Sequence, residues 1–159
     1  MAQRRQWRRS AVVGSLALLA VACATAEPPK MSATDAIAAR QKLMKEQGAI
    51  MRSIQEKVKT GQTQAVAADA EKLAQTADQI PDLFPPGSVN PETSRAKPEI
   101  WEKWSEFDGY AKSLDTKAVQ LAATARGGNA QATSAAATDL GKTTCGACHN
   151  AFRGPEIKK

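Results

Sequence analysis

Apolar residues along this chain recur at the three-to-four-residue spacing of amphipathic helices, and no stretch alternates in the two-residue manner of a strand. Ile37, Met44, Met51 and Val58 stand seven apart with Ile54 beside them, while Lys42, Lys45, Arg52 and Lys59 mostly fall elsewhere. This predicts a helix from about Thr34 to Thr60 with one buried face, capped by Ser32 or Thr34 and closed by Gly61. A second helix is predicted from about Thr63 to Gln79, with Val66, Ala70, Leu73, Ala77 and Ile80 inward and Pro81 as its stop. Pro81, Pro85, Pro86, Pro91 and Pro98, with Gly87, predict a crossover loop anchored on the core by Leu83 and Phe84. Its length is unusual for a plain connection and suggests a functional loop. A third helix follows Pro98, carries Ile100, Trp101, Trp104, Phe107, Leu114 and Leu121, and ends at Gly127-Gly128. A fourth begins near Asn129, passes Leu140 and ends about Phe152, before Gly154-Pro155. Alanine-rich stretches in the second and fourth favour helix and allow close approach. The architecture predicted is all-α: an antiparallel up-down-up-down four-helix bundle.

The N-terminus changes the reading of the charge. Arg4, Arg5, Arg8 and Arg9 precede an apolar run, Ala11 to Ala22, too short to span a bilayer comfortably. Ala24-Thr25-Ala26 is a small-x-small cleavage site, so residues 1–26 read as a secretory signal peptide and 27–159 as one mature domain, beginning at Glu27. Cys23 offers a rival reading, lipid anchoring, but Ala20 stands where a lipoprotein cleavage box usually has leucine. The Arg pairs hint at twin-arginine export, although the residues after Arg9 fit that pattern poorly. The segment holds four of the chain's 22 Lys and Arg and none of its 16 Asp and Glu, so its removal takes the net charge from +6 to +2. The basic balance is therefore no sign of nucleic-acid binding.

The chemistry lies at the other end, in Cys145-Gly146-Ala147-Cys148-His149. In an exported chain, Cys-x-x-Cys-His reads as the attachment site of a c-type haem. Two thiols add across two porphyrin vinyl groups, and the adjoining histidine supplies an axial nitrogen. On a helix, positions 145, 148 and 149 share one side. A zinc site needs about four ligands, more Cys and His than the chain can supply. A redox dithiol belongs near a βαβ pattern, which is absent, and a disulfide across this spacing is strained inside a helix.

These features together resemble the class II c-type cytochromes, the cytochrome c-prime family, over essentially the whole mature chain. Arg40-Gln41 followed by Met44 is similar to that family's first-helix signature, and Lys97-Pro98-Glu99-Ile100-Trp101 to its approach to the third helix. Cys145 to Arg153 is similar to its C-terminal haem segment. Class I cytochromes c attach haem near the N-terminus and take a downstream methionine; here ten residues follow His149, none of them Met or His. The resemblance implies one covalent haem c, Arg40 and Gln41 near its propionates, Arg153 on the side of His149, and Phe84 bordering the distal pocket. Core packing is the competing role for Phe84, and favourable placement at a helix C-terminus for Arg153. For Trp101 and Trp104, packing of the third helix is preferred to a redox relay.

His149 is the only histidine, so a second axial histidine from the same chain is excluded. Met31 precedes the first helix. Counted from Thr34, Met44 lies about 15 Å along that helix and Met51 about 25 Å. If first and last helices are antiparallel neighbours, Met44 is the better placed sulfur, one turn after Arg40. A core methionine is the competing reading. In the family, some members carry an apolar non-ligand here and are five-coordinate and high-spin, and others carry methionine and are six-coordinate and low-spin. The expectation is a periplasmic monohaem electron carrier with metal ligands His149 and Met44, serving redox partner proteins. No general base or substrate cleft suggests an enzyme. The alternatives are binding of NO or CO at an open distal site, or a haem module of a larger assembly. Family bundles often pair, but no exposed stripe decides whether this chain forms a homodimer.

Overall fold

The computed structural model describes residues 31–157; the expected signal peptide, its cleavage site and Cys23 lie outside them. Ser32 caps the first helix, α1 (Ala33–Lys59), its hydroxyl accepting from the Asp35 N–H at 3.1 Å, and Asp35 adds negative charge to the first turn. Gly61, at φ +74°, provides the left-handed residue just beyond the helix end. A 3-10 turn, Thr63–Ala65, leads into α2 (Val66–Ala77), so the second helix is one turn shorter as an α-helix than predicted. Its five expected inward residues, Val66, Ala70, Leu73, Ala77 and Ile80, are all buried.

The third predicted helix is interrupted. A single turn, α3 (Glu99–Glu102), ends at Lys103, whose φ of −114° and ψ of 45° are not helical, and α4 (Trp104–Arg126) follows. Trp104 corrects the packing expectation: it is 38% exposed, touching the core through Phe107 at a ring-centroid distance of 5.5 Å. Asn129 caps α5 (Ala130–Leu140), its side-chain oxygen accepting from the Ala132 N–H at 2.9 Å. The fourth helix is also not uniform. Gly141–Gly146 winds as a π-helix before α6 (Ala147–Phe152) completes it.

Cross-links fix the helix directions. Lys57 pairs with Asp69 at 2.7 Å and Gln47 donates to Thr76 at 3.2 Å, so α1 and α2 are antiparallel. Glu71 pairs with Arg126 while Phe84 meets Phe107, which makes the second and third helices antiparallel. Lys117 pairs with Asp139 while Tyr110 meets Phe152, which does the same for the third and fourth. Met51 packs beside Gly141, closing the circuit between first and last. The result is the expected up-down-up-down bundle. Ala67, Ala70 and Ala74 of α2 are buried in the same core as Ala111, Ala118 and Ala122 of α4, and small side chains there let these axes approach closely.

The buried stripe of α1 corrects the sequence reading by one position. Ile37 and Ile54 of the expected stripe are buried, but the seam runs through Ala36, Arg40, Leu43, Gln47, Ile50 and Ile54, at alternating spacings of four and three. Met44, Met51 and Val58 flank this seam and are only partly buried. The seam admits an arginine and a glutamine, which a count of apolar residues rejects. Among the described residues no helix is long and apolar enough to cross a membrane.

Leu121 is fully buried and Val119, two residues earlier on α4, is 54% exposed. Leu121→Ala should therefore cost about 2–5 kcal/mol in chemical denaturation and Val119→Ala less than about 0.5 kcal/mol.

Candidate haem site

The seam of the bundle opens at the end where α1 begins and α6 finishes. There the helices and the crossover loop enclose a cavity of about 400 Å³, within the usual range for cofactor sites. Cys145, Cys148 and His149 all line it, as do Met44 from α1 and Phe84 from the loop. Much of the remaining wall is apolar, including Ile80, Ile100, Phe107, Leu114 and Phe152.

The last helix presents its three chemical groups by changing its winding. The hydroxyls of Thr143 and Thr144 donate to the carbonyls of Asp139 and Leu140 at 2.8 and 2.6 Å, competing with the backbone ladder. Glycines at 141 and 146 tolerate the wider turn, and a Cβ at 146 would lie 3.3 Å from the Gly141 carbonyl oxygen. The buried stripe runs Thr133, Ala137, Leu140, Thr144 and then Phe152, so the added residue in the turn carries it one position onward. Cys145 is thus on the π-helical turn while Cys148 and His149 are on α6. All three still share the cavity, as expected for one continuous α-helix, although the helix is not of one type.

Both cysteines are unpaired thiols, half-buried. Burial pushes the Cys145 thiol up, against a weak opposing contact from the Thr144 hydroxyl. Cys148 is pushed up to about 11, first by burial and then by Cys145 and Glu106. Both therefore stay protonated near neutrality and are poor thiolate nucleophiles toward oxidants. His149 is pulled down, chiefly by burial and secondarily by Arg153 and Arg95. Its imidazole is held neutral, with a lone pair available to a metal.

Arg40 is the polar centre of the site. It is 3% exposed and donates to Ser88 Oγ at 2.9 Å, Ser88 O at 2.7 Å and Ser94 Oγ at 2.7 Å. Its guanidinium stands 4.7 Å from the centroid of the Phe84 ring. Burial lowers its pKa, and none of its hydrogen-bond partners is a carboxylate. Three of its five N–H donors are used, leaving capacity for an anion at the cavity edge. Gln41 donates to Thr93 O at 2.6 Å. Both residues expected near the propionates therefore also tie α1 to the crossover loop. Met51 packs against Gly141 instead of lining the cavity, and Met31 is 46% exposed.

The crossover loop supplied residues that no motif announced. Pro86-Gly87 form the centre of a turn closed by Ser88 N–H to Pro85 O at 3.1 Å, with Gly87 at φ +81°. This turn aims Ser88 at Arg40. Trp101 Nε1 donates to the carbonyls of Phe84 and Pro85 at 3.0 and 3.2 Å, so its role is to hold the loop. At the loop's far end, Arg95 and Gly154 exchange hydrogen bonds: Gly154 N–H to Arg95 O at 2.7 Å and Arg95 Nε to Gly154 O at 2.9 Å. Lys97 Nζ caps the Ala151 carbonyl at 3.0 Å. The five prolines and Gly87 signalled a crossover loop, but nothing local signalled these distant partners.

A neutral half-buried histidine, two half-buried thiols and a thioether in one apolar cavity with a cationic edge suit a covalently held, edge-charged porphyrin. Residues 35–153 match the family model described as Cytochrome C'. The chain belongs to the cytochrome c' family. It is 36% identical over 118 residues to cytochrome c-556 of Agrobacterium tumefaciens, covering 72% of this chain and 93% of that one. Among solved structures it is similar to a cytochrome c' described as having ligand-controlled dimer dissociation (28% identity, TM-score 0.71, 79% of this chain and 98% of that one). It is likewise similar to a nitric oxide complex of a cytochrome c' variant from Alcaligenes xylosoxidans (27% identity, TM-score 0.69, 80% and 100%). Cytochromes c' carry one covalent haem c, and the cysteines of this chain fit its attachment motif.

Arg40→Ala should release the loop and leave Ser88 and Ser94 without their donor. Expected are a loss of about 2–4 kcal/mol in denaturation and faster proteolytic cleavage between Pro85 and Ala96.

Proposed function

We propose that this cytochrome c' family protein is a periplasmic electron carrier whose haem iron is held by His149 and Met44. The observation that carries the reading is that Met44 lines the cavity with His149 whereas Met51 and Met31 do not. Haem c supplies a one-electron iron couple. The chain's own residues govern that couple. Cys145 and Cys148 would hold the group through two thioether links, each thiol adding across one vinyl group. Neutral His149 would offer a nitrogen lone pair to the iron and Met44 a thioether sulfur, a donor that favours the reduced state and raises the potential. Phe84, Phe107 and Leu114 give the cavity an apolar lining. Arg40 places a fixed positive charge at its edge, and with Ser88 and Ser94 keeps the loop closed over it. With His149 and Met44 both holding the iron, electron transfer would be favoured over binding of an external ligand. No catalytic role is assigned.

The first expected outcome is that acid-acetone extraction leaves the haem on the chain, with intact mass raised by one haem and an N-terminus at Glu27. Haem passing wholly into the organic phase would refute covalent attachment, and a lipid-modified Cys23 would refute the soluble periplasmic form.

The second concerns Met44. Met44→Leu should change packing by less than about 1.5 kcal/mol, yet turn the haem high-spin and five-coordinate, lower its potential and admit CO or NO. Met51→Leu should leave the spectrum unchanged. A low-spin Met44→Leu protein overturns the ligand assignment. A five-coordinate unmodified protein favours the second reading, NO or CO binding, which the nitric oxide complex of the Alcaligenes relative supports.

A further inference from the structure

The charges of this protein are distributed unevenly between the cavity mouth and the rest of the bundle. Along the helix surfaces cations and carboxylates are mixed, and five pairs form: Lys57 with Asp69, Lys72 with Glu46, Lys112 with Asp108, Lys117 with Asp139, and Arg126 with Glu71. The cavity lining carries charge of one sign only. Arg40, Lys45, Arg95 and Arg153 line the cavity, and no Asp or Glu does. Lys45 and Arg153 are exposed and form no ion pair among the described residues. Arg95 reaches Glu156 only at 4.0 Å, and that carboxylate is 91% exposed, so screening leaves the pair weak. Glu106 acts on Cys148 without lining the cavity. Two haem carboxylates set against four lining cations still leave the mouth positive.

We propose that the mouth, ringed by Lys45, Arg95 and Arg153, is the docking surface for an acidic electron-transfer protein. This deepens the electron-carrier reading and rests on it. The three rim cations come from three different segments: Lys45 from α1, Arg95 from the crossover loop, and Arg153 from the end of α6. They are brought to one opening only by the folded bundle, and that opening is where the haem attachment residues lie. A cleft lined by one sign of charge with low-dielectric walls focuses its field outward and steers an oppositely charged partner. Rim charges of this kind set association rate and salt dependence more than final affinity. Phe84, Phe107 and Phe152 leave the interior apolar, so the charge at the rim selects the partner without flooding the cavity with water.

The haem-loaded protein can be tested with two anionic probes: a fluorescently labelled poly-glutamate peptide, followed by anisotropy, and hexacyanoferrate(III), which takes one electron from the reduced protein and becomes hexacyanoferrate(II). Peptide affinity and oxidation rate should both fall on the order of tenfold between low and physiological ionic strength. Lys45→Glu with Arg153→Glu should lower both at low salt by a similar factor. Lys59→Glu with Lys142→Glu makes the same change in net charge on the separate groove between α1 and α5, and should have a far smaller effect. Lys45→Glu alone, on the exposed side of α1, should give an intermediate loss if the double variant fails to take up haem. Equal losses in the two double variants, or no salt dependence, would overturn the proposal. So would binding to phosphatidylglycerol vesicles with none to the peptide, since the mouth would then face a membrane. A high-spin, NO-binding protein that still binds the peptide at the rim would remove the carrier reading and leave the basic mouth standing. A low-spin protein without rim-specific binding would do the reverse.

Discussion

A buried guanidinium without a carboxylate partner sets the terms for the haem end of this bundle. Removing Arg40 from water is costly unless its donors are met, and the crossover loop meets them with two serines and a main-chain carbonyl. The loop consequently has one place to lie. With Ser88 and Ser94 fixed, Phe84 stands under the guanidinium and Thr93 accepts from Gln41. The chain then reaches the last helix, where Arg95 and Lys97 grip the backbone of Ala151 to Gly154. One loop thereby joins the face carrying Met44 to the face carrying His149.

The two ends of the bundle solve different problems. Toward the end that holds Val66 and Ala125, alanines and leucines let α2 and α4 close on each other, and Val66, Ala118, Leu121 and Ala125 are fully buried. At the other end, aromatic rings take over. Phe84, Phe107 and Phe152 meet edge-on at centroid separations of 4.7 and 5.6 Å around Phe107, and Tyr110 extends the cluster. Large, stiff rings hold a wall without filling the space it encloses, whereas flexible aliphatic side chains in their place would collapse inward. The cations at this end, Arg40, Lys45, Arg95 and Arg153, line the cavity with no carboxylate among them, which suits an edge-charged cofactor.

Under the proposed ligand set, gas binding and electron carriage would diverge at a single side chain, Met44. A thioether at position 44 can fill an axial position, and an aliphatic side chain of similar size cannot. The surroundings of His149 serve either behaviour. Burial, with Arg153 and Arg95 nearby, keeps the imidazole neutral and ready to ligate.

The sequence by itself determined what depends on neighbours along the chain. Ser32 and Asn129 mark helix starts because their side chains cap N–H groups three residues on. Gly61 and Gly128 mark helix ends because they take positive φ at no steric cost. Cys145, Cys148 and His149 fall on one side because helical spacing puts them there, and every residue expected on the inward face of the second helix is buried, although Ala67, Ala74 and Thr76 join them. Tertiary structure decided the rest. On α1, two stripes one residue apart compete, and the polar Arg40 and Gln47 conceal the true one; only partners 48, 54 and 29 residues away make their burial tolerable. The π-helical turn likewise has no local pattern of its own, since it balances threonine hydroxyls against backbone hydrogen bonds under packing from α1 and α4. The grip of Arg95 on Gly154 spans 59 residues. Such contacts exist only after the chain has closed, and a local reading of the sequence cannot contain them.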